Sequence, residues 1–259
     1  MTQTFPSNIH PDVKIGKGTV VEPFATIYGD VTIGENCWIG PNAVIFEGTR
    51  IGNNVKIYPG AIIGPPSQDL KYKGEYTTTE IGDNTIIREY VTIHRGTTDR
   101  MKTVVGKNCL LMAMVHVAHD CIVGDHVIIA NNSGLSGHVT VGDYAIIEGM
   151  VGVQQFIHIG PHTFVAGGSL VRKNVPPFVK AAREPISYIG VNTVGLRRRG
   201  FSDLQISLIE DIYRVIYVQN SNLSVALNIV SLELPNSPEK DIIVDFIKNS
   251  TKGIMRGIS

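Results

Sequence analysis

Three histidines that are close together in the chain give the first indication of chemistry. His116 and His119 are three residues apart in the segment MVHVAHDC, and His138 follows 19 residues after His119. A histidine side chain that titrates near neutral pH is the usual general base for a hydroxyl nucleophile. The alternative is that all three are ordinary surface histidines. Their spacing makes base-assisted catalysis the first hypothesis for this sequence.

Two further segments contain polar side chains that could bind a substrate. The segment QDLKYKGE, residues 68–75, contains Gln68, Asp69 and Lys71. The three consecutive arginines 197–199 could hold phosphate groups, because the guanidinium fork matches phosphate oxygens. Each segment also has a simpler interpretation. Residues 68–75 could be a tolerated loop insertion, and residues 197–199 could be a solvated surface patch.

The elements that must position these side chains repeat every six residues. An aliphatic residue occupies the first position of 25 hexads, and glycine occupies the second position in ten of them. A helix would need a period near 3.6 and a two-sided strand a period of 2, so the pattern indicates short strands joined by tight corners. The first positions are Ile9, Ile15, Val21, Ile27, Ile33, Ile39, Ile45, Ile51, Ile57, Ile63, Ile81, Ile87, Ile93, Val105, Leu111, Val117, Val123, Ile129, Leu135, Val141, Ile147, Val153, Ile159, Val165 and Val171.

This repeat resembles the hexapeptide repeat of left-handed parallel β-helices, in which three hexads form one triangular coil. The predicted fold is therefore mainly β: a left-handed parallel β-helix over residues 1–189, with loop insertions near 69–80 and 98–104. Stacked about 4.8 Å apart, the coils would form a prism about 40 Å long. Because the valines on both sides of His116 face inward, we expect His116 and His119 to point out of the prism, with His138 on the next coil.

A C-terminal helical domain, residues 190–259, is predicted to follow the prism. The hexads end before Pro176, and residues 176–200 are expected to be a connector. Ser202 and Gln205 form a capping box that begins one helix. A second helix is predicted over about 222–233, and a third begins with proline at position 238, in its first turn.

Composition excludes several classes of protein. The net charge is zero, which argues against a general nucleic-acid binder. We find neither the pattern of a secretory signal nor an apolar run of about 18 residues, so no transmembrane segment is expected. The cysteines are odd in number and widely spaced, at Cys37, Cys109 and Cys121. This pattern indicates reduced thiols in the cytoplasm. All three occupy the small inward hexad position, which favours a packing role over a reactive one.

Seven segments of the chain closely resemble the UDP-N-acetylglucosamine O-acyltransferases of lipid A biosynthesis. Hexads alone are shared by many acetyltransferases, but HVAHDC together with QDLKY and GLRRRGF is specific to this family. The segments are QDLKYKGE (68–75), IREYVTIHRGT (87–97), HVAHDC (116–121), ANNSGLSGHVTVGD (130–143), QQF (154–156), NVPP (174–177) and GVNTVGLRRRGFS (190–202).

The resemblance implies a cytoplasmic homotrimer with active sites between neighbouring prisms. Such an enzyme moves an (R)-3-hydroxyacyl group from acyl carrier protein to the 3-hydroxyl of UDP-N-acetylglucosamine. The acyl carrier protein thioester is the acyl donor, and neither a metal nor a tightly bound cofactor is implied. The chemistry agrees with the residues, since acyl transfer from a thioester needs a base, an oxyanion site and positioning.

The resemblance also implies roles for individual residues. His119 matches the general base, and the backbone N–H of Gly137 matches the oxyanion donor. Asp120 could orient His119, although neighbours on a strand point in opposite directions. The positions that match substrate contacts are Gln68, Asp69, Lys71, His116, His138 and Gln155 for the sugar and pantetheine, Asn192, Arg198 and Arg199 for the nucleotide and carrier protein, and Gly167 for acyl-chain length, where glycine leaves room for a long chain.

Two departures from the family pattern leave the substrate open. Gln154 stands where many members have histidine, and Val194 stands where an acidic residue is common. Some relatives acylate a 3-amino sugar and form an amide instead of an ester, and the same chemistry on a 3-amino UDP-sugar is the main alternative.

Three other classes of protein share features with this sequence. A γ-type carbonic anhydrase binds zinc with histidines on the same prism, and His94, His116, His119 and His138 supply nitrogens, but their spacing does not match. The N-acyltransferase of lipid A synthesis carries an extra N-terminal domain, whereas the hexads begin here at Ile9. A non-catalytic hexapeptide scaffold would not need outward histidines beside expelled loops.

Overall fold

The structure is a computed structural model that describes residues 6–257, so residues 1–5 and 258–259 of the predicted domains lie outside the described part. It contains 27 strands, most of them two residues long, followed by helices. The strands are β1 (Asn8–Ile9), β2 (Lys14–Ile15), β3 (Val20–Val21), β4 (Thr26–Ile27), β5 (Thr32–Ile33), β6 (Trp38–Ile39), β7 (Val44–Ile45), β8 (Thr49–Ile51), β9 (Lys56–Ile57), β10 (Ile62–Ile63), β11 (Thr78–Ile81), β12 (Ile86–Ile87), β13 (Thr92–Ile93), β14 (Lys102–Val105), β15 (Leu110–Leu111), β16 (His116–Val117), β17 (Ile122–Val123), β18 (Ile128–Ile129), β19 (Gly134–Leu135), β20 (Thr140–Val141), β21 (Ile146–Ile147), β22 (Gly152–Val153), β23 (His158–Ile159), β24 (Phe164–Val165), β25 (Leu170–Val171), β26 (Val179–Ala182) and β27 (Ser187–Val191).

Every third strand belongs to the same sheet, and the three sheets form the faces of a prism. Sheet A runs from β1 through every third strand to β25, sheet B from β2 to β23, and sheet C from β3 to β24, with β26 and β27 added at its end. All pairs are parallel except β26 with β27. The chain is the left-handed parallel β-helix that the hexads predicted.

The first hexad positions form the interior of the prism. Ile27, Ile63 and Leu135 are each at most 1% exposed, whereas Ile9 and Ile15 in the first coil are 37% and 39% exposed. Burying such a side chain contributes roughly 1.5–3 kcal/mol, so the stacked aliphatic columns supply most of the driving force for this fold. The first coil has only one coil beside it, which explains its exposure.

The corners of the prism have left-handed backbone at the fourth hexad position. Asn36, Asn54, Asp120 and His138 all have φ between 54° and 64°. Asparagine and aspartate tolerate this region better than most residues because their short side chains bond locally. Asp120 therefore lies on a corner and not within a strand.

The three cysteines lie inside the prism, as their hexad position predicted. Cys37, Cys109 and Cys121 are at most 2% exposed, and the thiols of Cys109 and Cys121 each donate to a backbone carbonyl. Burial raises the pKa of Cys109 to about 11 and that of Cys121 to about 12. A thiolate is the reactive form, so these groups are packing residues.

Two insertions leave the prism at the same edge, between sheets A and B. They occupy residues 64–77 and 94–101, a few residues earlier than the predicted 69–80 and 98–104. The difference arises because β11 and β14 are four residues long and pair with each other along their whole length. We call these segments the first and second insertion.

The segment that follows the coils is more ordered than the predicted connector over 176–200. It contains the antiparallel pair β26–β27 and a short helix α1 (Thr193–Arg198). The remaining helices are α2 (Asp203–Arg214), which continues as a π-helical turn (Val215–Gln219), α3 (Leu223–Glu233) and α4 (Pro238–Lys248). Within residues 6–257 no helix combines the length and apolar character needed to cross a bilayer.

The helices begin at the predicted signals and pack on the last coils. The capping box of Ser202 and Gln205 is present, and Pro238 occupies the first turn of α4. Tyr213 is fully buried, and its hydroxyl donates to the carbonyl of Pro177 at 2.6 Å. This contact joins α2 to the end of the prism. The division at residue 189 into two domains stays a prediction.

Candidate active site

The edge between sheets A and B, which we call the AB edge, brings the predicted chemical groups together. Successive corners of this edge are residues 118–121, 136–139 and 154–157, and both insertions leave from the same edge. These corners contain His119, Asp120, Gly137, His138 and Gln155. A histidine pair 19 residues apart therefore becomes a contact, because one coil contains 18 residues.

His119 and Asp120 form a hydrogen-bonded dyad. His119 Nδ1 lies 2.8 Å from Asp120 Oδ2. An ionised carboxylate only accepts hydrogen bonds, so Nδ1 carries the proton and Nε2 keeps its lone pair. The expectation that neighbours point apart does not hold here, because φ at Asp120 is 59° and the chain turns at this residue. The dyad has the geometry of a general base and its orienting carboxylate.

The sequence predicts an exposed histidine at position 119, but the structure shows that His119 is buried. It is 5% exposed, and its Nε2 lies 3.8 Å from Asp69 Oδ2 of the first insertion. The side chain points out of the prism, but the insertions cover it. The base thus lies in a partly dehydrated site, where electrostatic interactions are stronger than in water.

The carboxylate of Asp120 is completely buried and receives several hydrogen bonds. Thr97 donates its backbone N–H to Oδ1 at 2.9 Å and its hydroxyl to Oδ2 at 2.6 Å, and the Arg100 N–H donates to Oδ1 at 3.2 Å. Burial alone would raise the pKa of Asp120, but the bonds from Thr97 and His119 outweigh it and hold this pKa below its ordinary value. Asp120 is therefore ionised when it binds His119.

Gly137 lies directly against the ring of His119. A Cβ at this position would lie 2.5 Å from both Cε1 and Nε2 of His119, so only glycine allows the ring to keep its place. Gly137 is buried, and among residues 6–257 its N–H has no hydrogen-bond acceptor. An unpaired N–H beside the base is suited to binding a developing oxyanion.

His138 stands behind the dyad on the next coil. Its ring is perpendicular to that of His119 at 5.0 Å and is stacked on Phe156 at 4.4 Å. Nδ1 of His138 lies 3.0 Å from Asp99 Oδ2, but the direction does not suit a hydrogen bond. Phe156 and Asp99 were not identified from the sequence.

A second histidine pair fastens the first insertion to the prism. His116 Nδ1 lies 2.8 Å from Thr92 Oγ1, and its ring lies 5.2 Å from that of His94. The Nδ1–H of His94 donates to the carbonyl of Pro66 at 2.7 Å. Burial lowers the pKa of both histidines, so both are neutral near pH 7. His116 faces the cleft, and His94 has a structural contact.

A cleft of about 860 Å³ opens beside the dyad. It is lined by the predicted residues Gln68, Asp69, Lys71, His116, His119, Gly137 and Gln155, together with Gln154 and Arg172. Cations, a carboxylate and aliphatic side chains such as those of Leu135 and Leu170 therefore meet at one concave surface, which is the ordinary composition of a small-molecule site.

The remaining predicted residues lie on other edges of the prism. Asn192 donates to the carbonyl of His162 at 2.9 Å, and Arg199 donates to that of Tyr144 at 2.8 Å, both between sheets B and C. Arg198 is exposed at the end of α1. None of these three residues is among the residues that line the cleft within the described chain.

Gly167 lies on the third edge, between sheets C and A. Its N–H donates to Glu148 Oε2 at 3.0 Å, and it does not line the cleft of the described chain. One chain therefore does not bring Gly167 or the group around Asn192 next to His119.

His119, Asp120 and His138 offer three potential metal-ligand atoms within 4.8 Å of one another. Asp120 Oδ2 already accepts the Thr97 hydroxyl and faces the protonated Nδ1 of His119. A metal would have to displace both donors. The donor set fits a hydrogen-bonded dyad better than a zinc centre of converging histidines.

Comparison with known proteins first identifies the class. Three stretches, residues 12–47, 30–65 and 102–137, match the family model for bacterial transferase hexapeptide repeats. Residues 174–255 match the model for domain 2 of UDP-N-acetylglucosamine O-acyltransferase. These matches place the chain, with its prism and its His119–Asp120 dyad, in the class of hexapeptide-repeat acyltransferases.

Individual relatives then identify the family. An acyl-[acyl-carrier-protein]–UDP-N-acetylglucosamine O-acyltransferase from Aliivibrio fischeri is 43% identical over 195 residues, which cover 75% of this chain and 74% of that protein. A Pseudomonas syringae pv. tomato enzyme of the same name is 41% identical over 75% of this chain and 76% of its own length. The chain belongs to the UDP-N-acetylglucosamine O-acyltransferase family.

Solved structures agree with this assignment. A UDP-N-acetylglucosamine acyltransferase from Bacteroides fragilis is 49% identical with a TM-score of 0.95, covering 96% of this chain and 98% of its own. An Acinetobacter baumannii structure is 39% identical with a TM-score of 0.93, covering 96% and 97%. The likeness spans the prism and the helices together.

Proposed function

We propose that this chain transfers an (R)-3-hydroxyacyl group from acyl carrier protein to the 3-hydroxyl of UDP-N-acetylglucosamine, the first step of lipid A biosynthesis in the cytoplasm. The observation that carries the proposal is the His119–Asp120 dyad, with Nε2 free in a cleft and the Gly137 N–H beside it. The acyl donor bound to carrier protein and the UDP-sugar acceptor are inferred from the names of the relatives.

The reaction follows from these groups. His119 Nε2 accepts the proton of the sugar 3-hydroxyl as that oxygen attacks the thioester carbonyl. The carbonyl oxygen becomes negatively charged in the tetrahedral intermediate and is stabilised by the Gly137 N–H. Collapse breaks the carbon–sulfur bond, and the proton held by His119 passes to the leaving thiolate. The products are the sugar ester and free carrier thiol.

Roles for the other cleft residues follow from their positions. Asp69, Lys71 and Gln68 of the first insertion, with His116 and Gln155, border the cleft and are proposed to contact the sugar and the pantetheine arm. His138 is proposed to support this site from behind the dyad. Asp120 keeps the Nδ1–H of His119 in place and stabilises the imidazolium that forms.

A homotrimer explains why the proposed substrate residues occupy three edges of one prism. Asn192, Arg198 and Arg199 lie near the edge between sheets B and C, while His119 lies on the AB edge. Threefold packing places different edges of neighbouring prisms side by side. We propose that the nucleotide and carrier contacts, and the acyl contact at Gly167, reach the dyad in this way.

The test is an acyl-transfer assay with mass detection of the product. Purified protein is offered 3-hydroxyacyl carrier proteins of several lengths, with UDP-N-acetylglucosamine or its 3-amino analogue. We expect ester formation that His119→Ala reduces at least about 1000-fold. His10→Ala, which changes an exposed histidine in the first coil, five strands away from β16 in sheet A, is the matched control and is expected to keep full activity.

The assay separates the alternatives. Exclusive reaction of the amino sugar would correct the substrate and direct attention to Gln154, which borders the cleft, and to Val194, which is exposed on α1. Absence of turnover with every donor would contradict the proposal and favour a hexapeptide scaffold. Full activity of His119→Ala would overturn the assignment of the base.

A further inference from the structure

The second insertion contacts the dyad through Thr97 and Arg100, and the two fully buried hydrogen bonds are both donated by Thr97. The main-chain N–H and the hydroxyl of Thr97 bind different oxygens of the Asp120 carboxylate, at 2.9 Å and 2.6 Å. Thr97 is 8% exposed and Asp120 is completely buried. Two donors from one residue restrict both the position of the carboxylate and its rotation about the Cβ–Cγ bond.

The second insertion is itself anchored at Gly96, the residue that precedes Thr97. The hydroxyl of Thr77 donates to the carbonyl of Gly96 at 2.7 Å. A Cβ on Gly96 would lie 2.3 Å from the main-chain nitrogen of Lys102, so the two ends of the insertion touch. Arg100 closes the turn, since its guanidinium donates to the carbonyl of Asp120 at 2.8 Å.

The backbone of Asp120 is fixed from a different direction. Its N–H donates to the hydroxyl of Thr103 on β14 at 2.8 Å. The corner and the carboxylate are therefore held by separate threonines, one on a strand and one on the second insertion. Within residues 6–257, the Thr97 hydroxyl is the one other group that hydrogen-bonds to the oxygen that faces His119 Nδ1.

We propose that Thr97 is a positioning residue for catalysis, and that the second insertion exists to hold it against Asp120. The Thr97 hydroxyl shares Oδ2 with the ring of His119 and so fixes the carboxylate that orients the base. The inference rests on the proposed function for its kinetic readout. It assigns to Thr97 a role that requires no contact with substrate.

Loss of the hydroxyl has a defined electrostatic consequence. Oδ2 would lose a donor and become a stronger acceptor for the Nδ1–H, which favours the protonated ring. The acid limb of the kcat/KM profile would move to higher pH, because the base is active only when Nε2 is unprotonated. Among the described residues, a Thr97 variant changes none of the charged or titratable groups near His119, which are Asp69, Lys71, His94, Asp99, Arg100, His116, Asp120 and His138.

The experiment compares T97V with T97S in the full-length protein. T97V keeps the main-chain N–H and the shape but lacks the hydroxyl. We expect kcat to fall by about 10- to 100-fold, the loss that corresponds to one hydrogen bond to a charged group. KM for the UDP-sugar should change less than about threefold, since ground-state binding is untouched. T97S should restore kcat and the position of the acid limb.

Thr79→Val is the matched control. Thr79 is also fully buried and pairs with Thr103 in sheet B, but its hydroxyl has no hydrogen-bond partner among the described residues. We expect this variant to keep the kinetics and pH profile of the parent. The His119 Nδ1–H proton resonance is followed by NMR in every variant; it should persist in T97S and broaden in T97V through faster exchange with solvent.

The outcomes separate this inference from the proposed function. A parent protein without acyl transfer, but with a Nδ1–H resonance that depends on the Thr97 hydroxyl, would contradict the function and support the positioning role. Three outcomes would overturn the positioning role: an unchanged kcat and acid limb in T97V, equal impairment of T97S and T97V, or a loss of kcat with an unchanged acid limb and resonance.

Discussion

The ring of His119 lies so close to the Cα of Gly137 that any residue with a Cβ at position 137 would displace the ring. An added Cβ would lie 2.5 Å from Nε2, well inside any van der Waals contact. The two residues belong to neighbouring coils, and the carbonyl of His119 also accepts the N–H of His138 at 3.1 Å. The base and the proposed oxyanion donor are therefore placed by one coil-to-coil contact.

Gly137→Ala is expected to reduce kcat at least about 100-fold, because the ring must leave its contact with Asp120 and the N–H shifts with it. Thermal unfolding should change little, since the clash can be relieved by rotation of one side chain into the cleft. Gly29→Ala is the control, as Gly29 has the same hexad position on the AB edge in an early coil and its Cβ would lie 3.2 Å from Nδ1 of the exposed His10. Normal activity of Gly137→Ala would contradict the contact.

Mixed oligomers test whether one active site uses two chains. His119→Ala and Arg198→Ala should each be inactive or strongly impaired alone. When the two variants are co-expressed with different tags and purified through both tags in turn, every trimer contains both variants, and about one site in three combines an intact His119 with an intact Arg198 from the neighbour. We expect a corresponding third of parental activity. Mixtures as inactive as the separate variants would show that both residues act within one chain.

His162 gives a pH dependence of stability. It is stacked between Tyr144 and Phe178, and burial, with the nearby charge of Arg199, lowers its pKa to about 4. The unfolded chain therefore binds more protons than the folded chain between about pH 4 and 6.5, so stability falls as pH decreases through this window. The penalty is absent above pH 6.5 and amounts to about 1.4 kcal/mol at pH 5.5.

Urea unfolding at pH 7.5 and 5.5 measures this effect. His162→Phe keeps the stack and should remove about 1.4 kcal/mol of the difference between the two pH values. His126→Phe changes the exposed ring on the other side of Tyr144 and should leave the difference as it is. If the free energy of unfolding differs between the two pH values by the same amount in His162→Phe and in the parent, His162 is not the source of the pH dependence.

Two buried threonines that are two residues apart at the start of β11 should respond oppositely to the same change. The hydroxyl of Thr79 has no partner among the described residues, whereas that of Thr77 donates to the carbonyl of Gly96 at 2.7 Å. Thr79→Val should raise the free energy of unfolding by about 1 kcal/mol, and Thr77→Val should lower it by about the same amount. Denaturant midpoints measure both, and a destabilised Thr79→Val would reveal an unrecognised partner of the hydroxyl.

Much of this architecture follows from local spacing. The hexad period predicts the prism because every first position is aliphatic. When successive coils stack, these side chains lie above one another and are buried in continuous columns. The capping box at Ser202 and the proline at position 238 mark helix starts for the same local reason. The proximity of His119 and His138 also follows from the repeat, because one coil returns the chain to its starting edge.

The sequence alone could not assign the network behind the base. Thr97 is 23 residues from Asp120, and the six-residue pattern is interrupted between them. The role of Asp120 stayed open because neighbours on a strand point in opposite directions, and only the structure shows that Asp120 lies on a corner with left-handed backbone. The segment over 176–200 was taken for a connector because its pairing, β26 with β27, is antiparallel and has no hexad period.

The sequence by itself determined the coil, its period and the chemical types of the groups on the AB edge, since these depend on regular burial of aliphatic side chains. Only the tertiary structure decided that both insertions fold over that edge, that Thr97 binds Asp120, and that His119 is covered instead of exposed. The physical reason is that an irregular loop has no periodic burial to reveal its path. Its position is fixed by a few hydrogen bonds between residues that are distant in the chain.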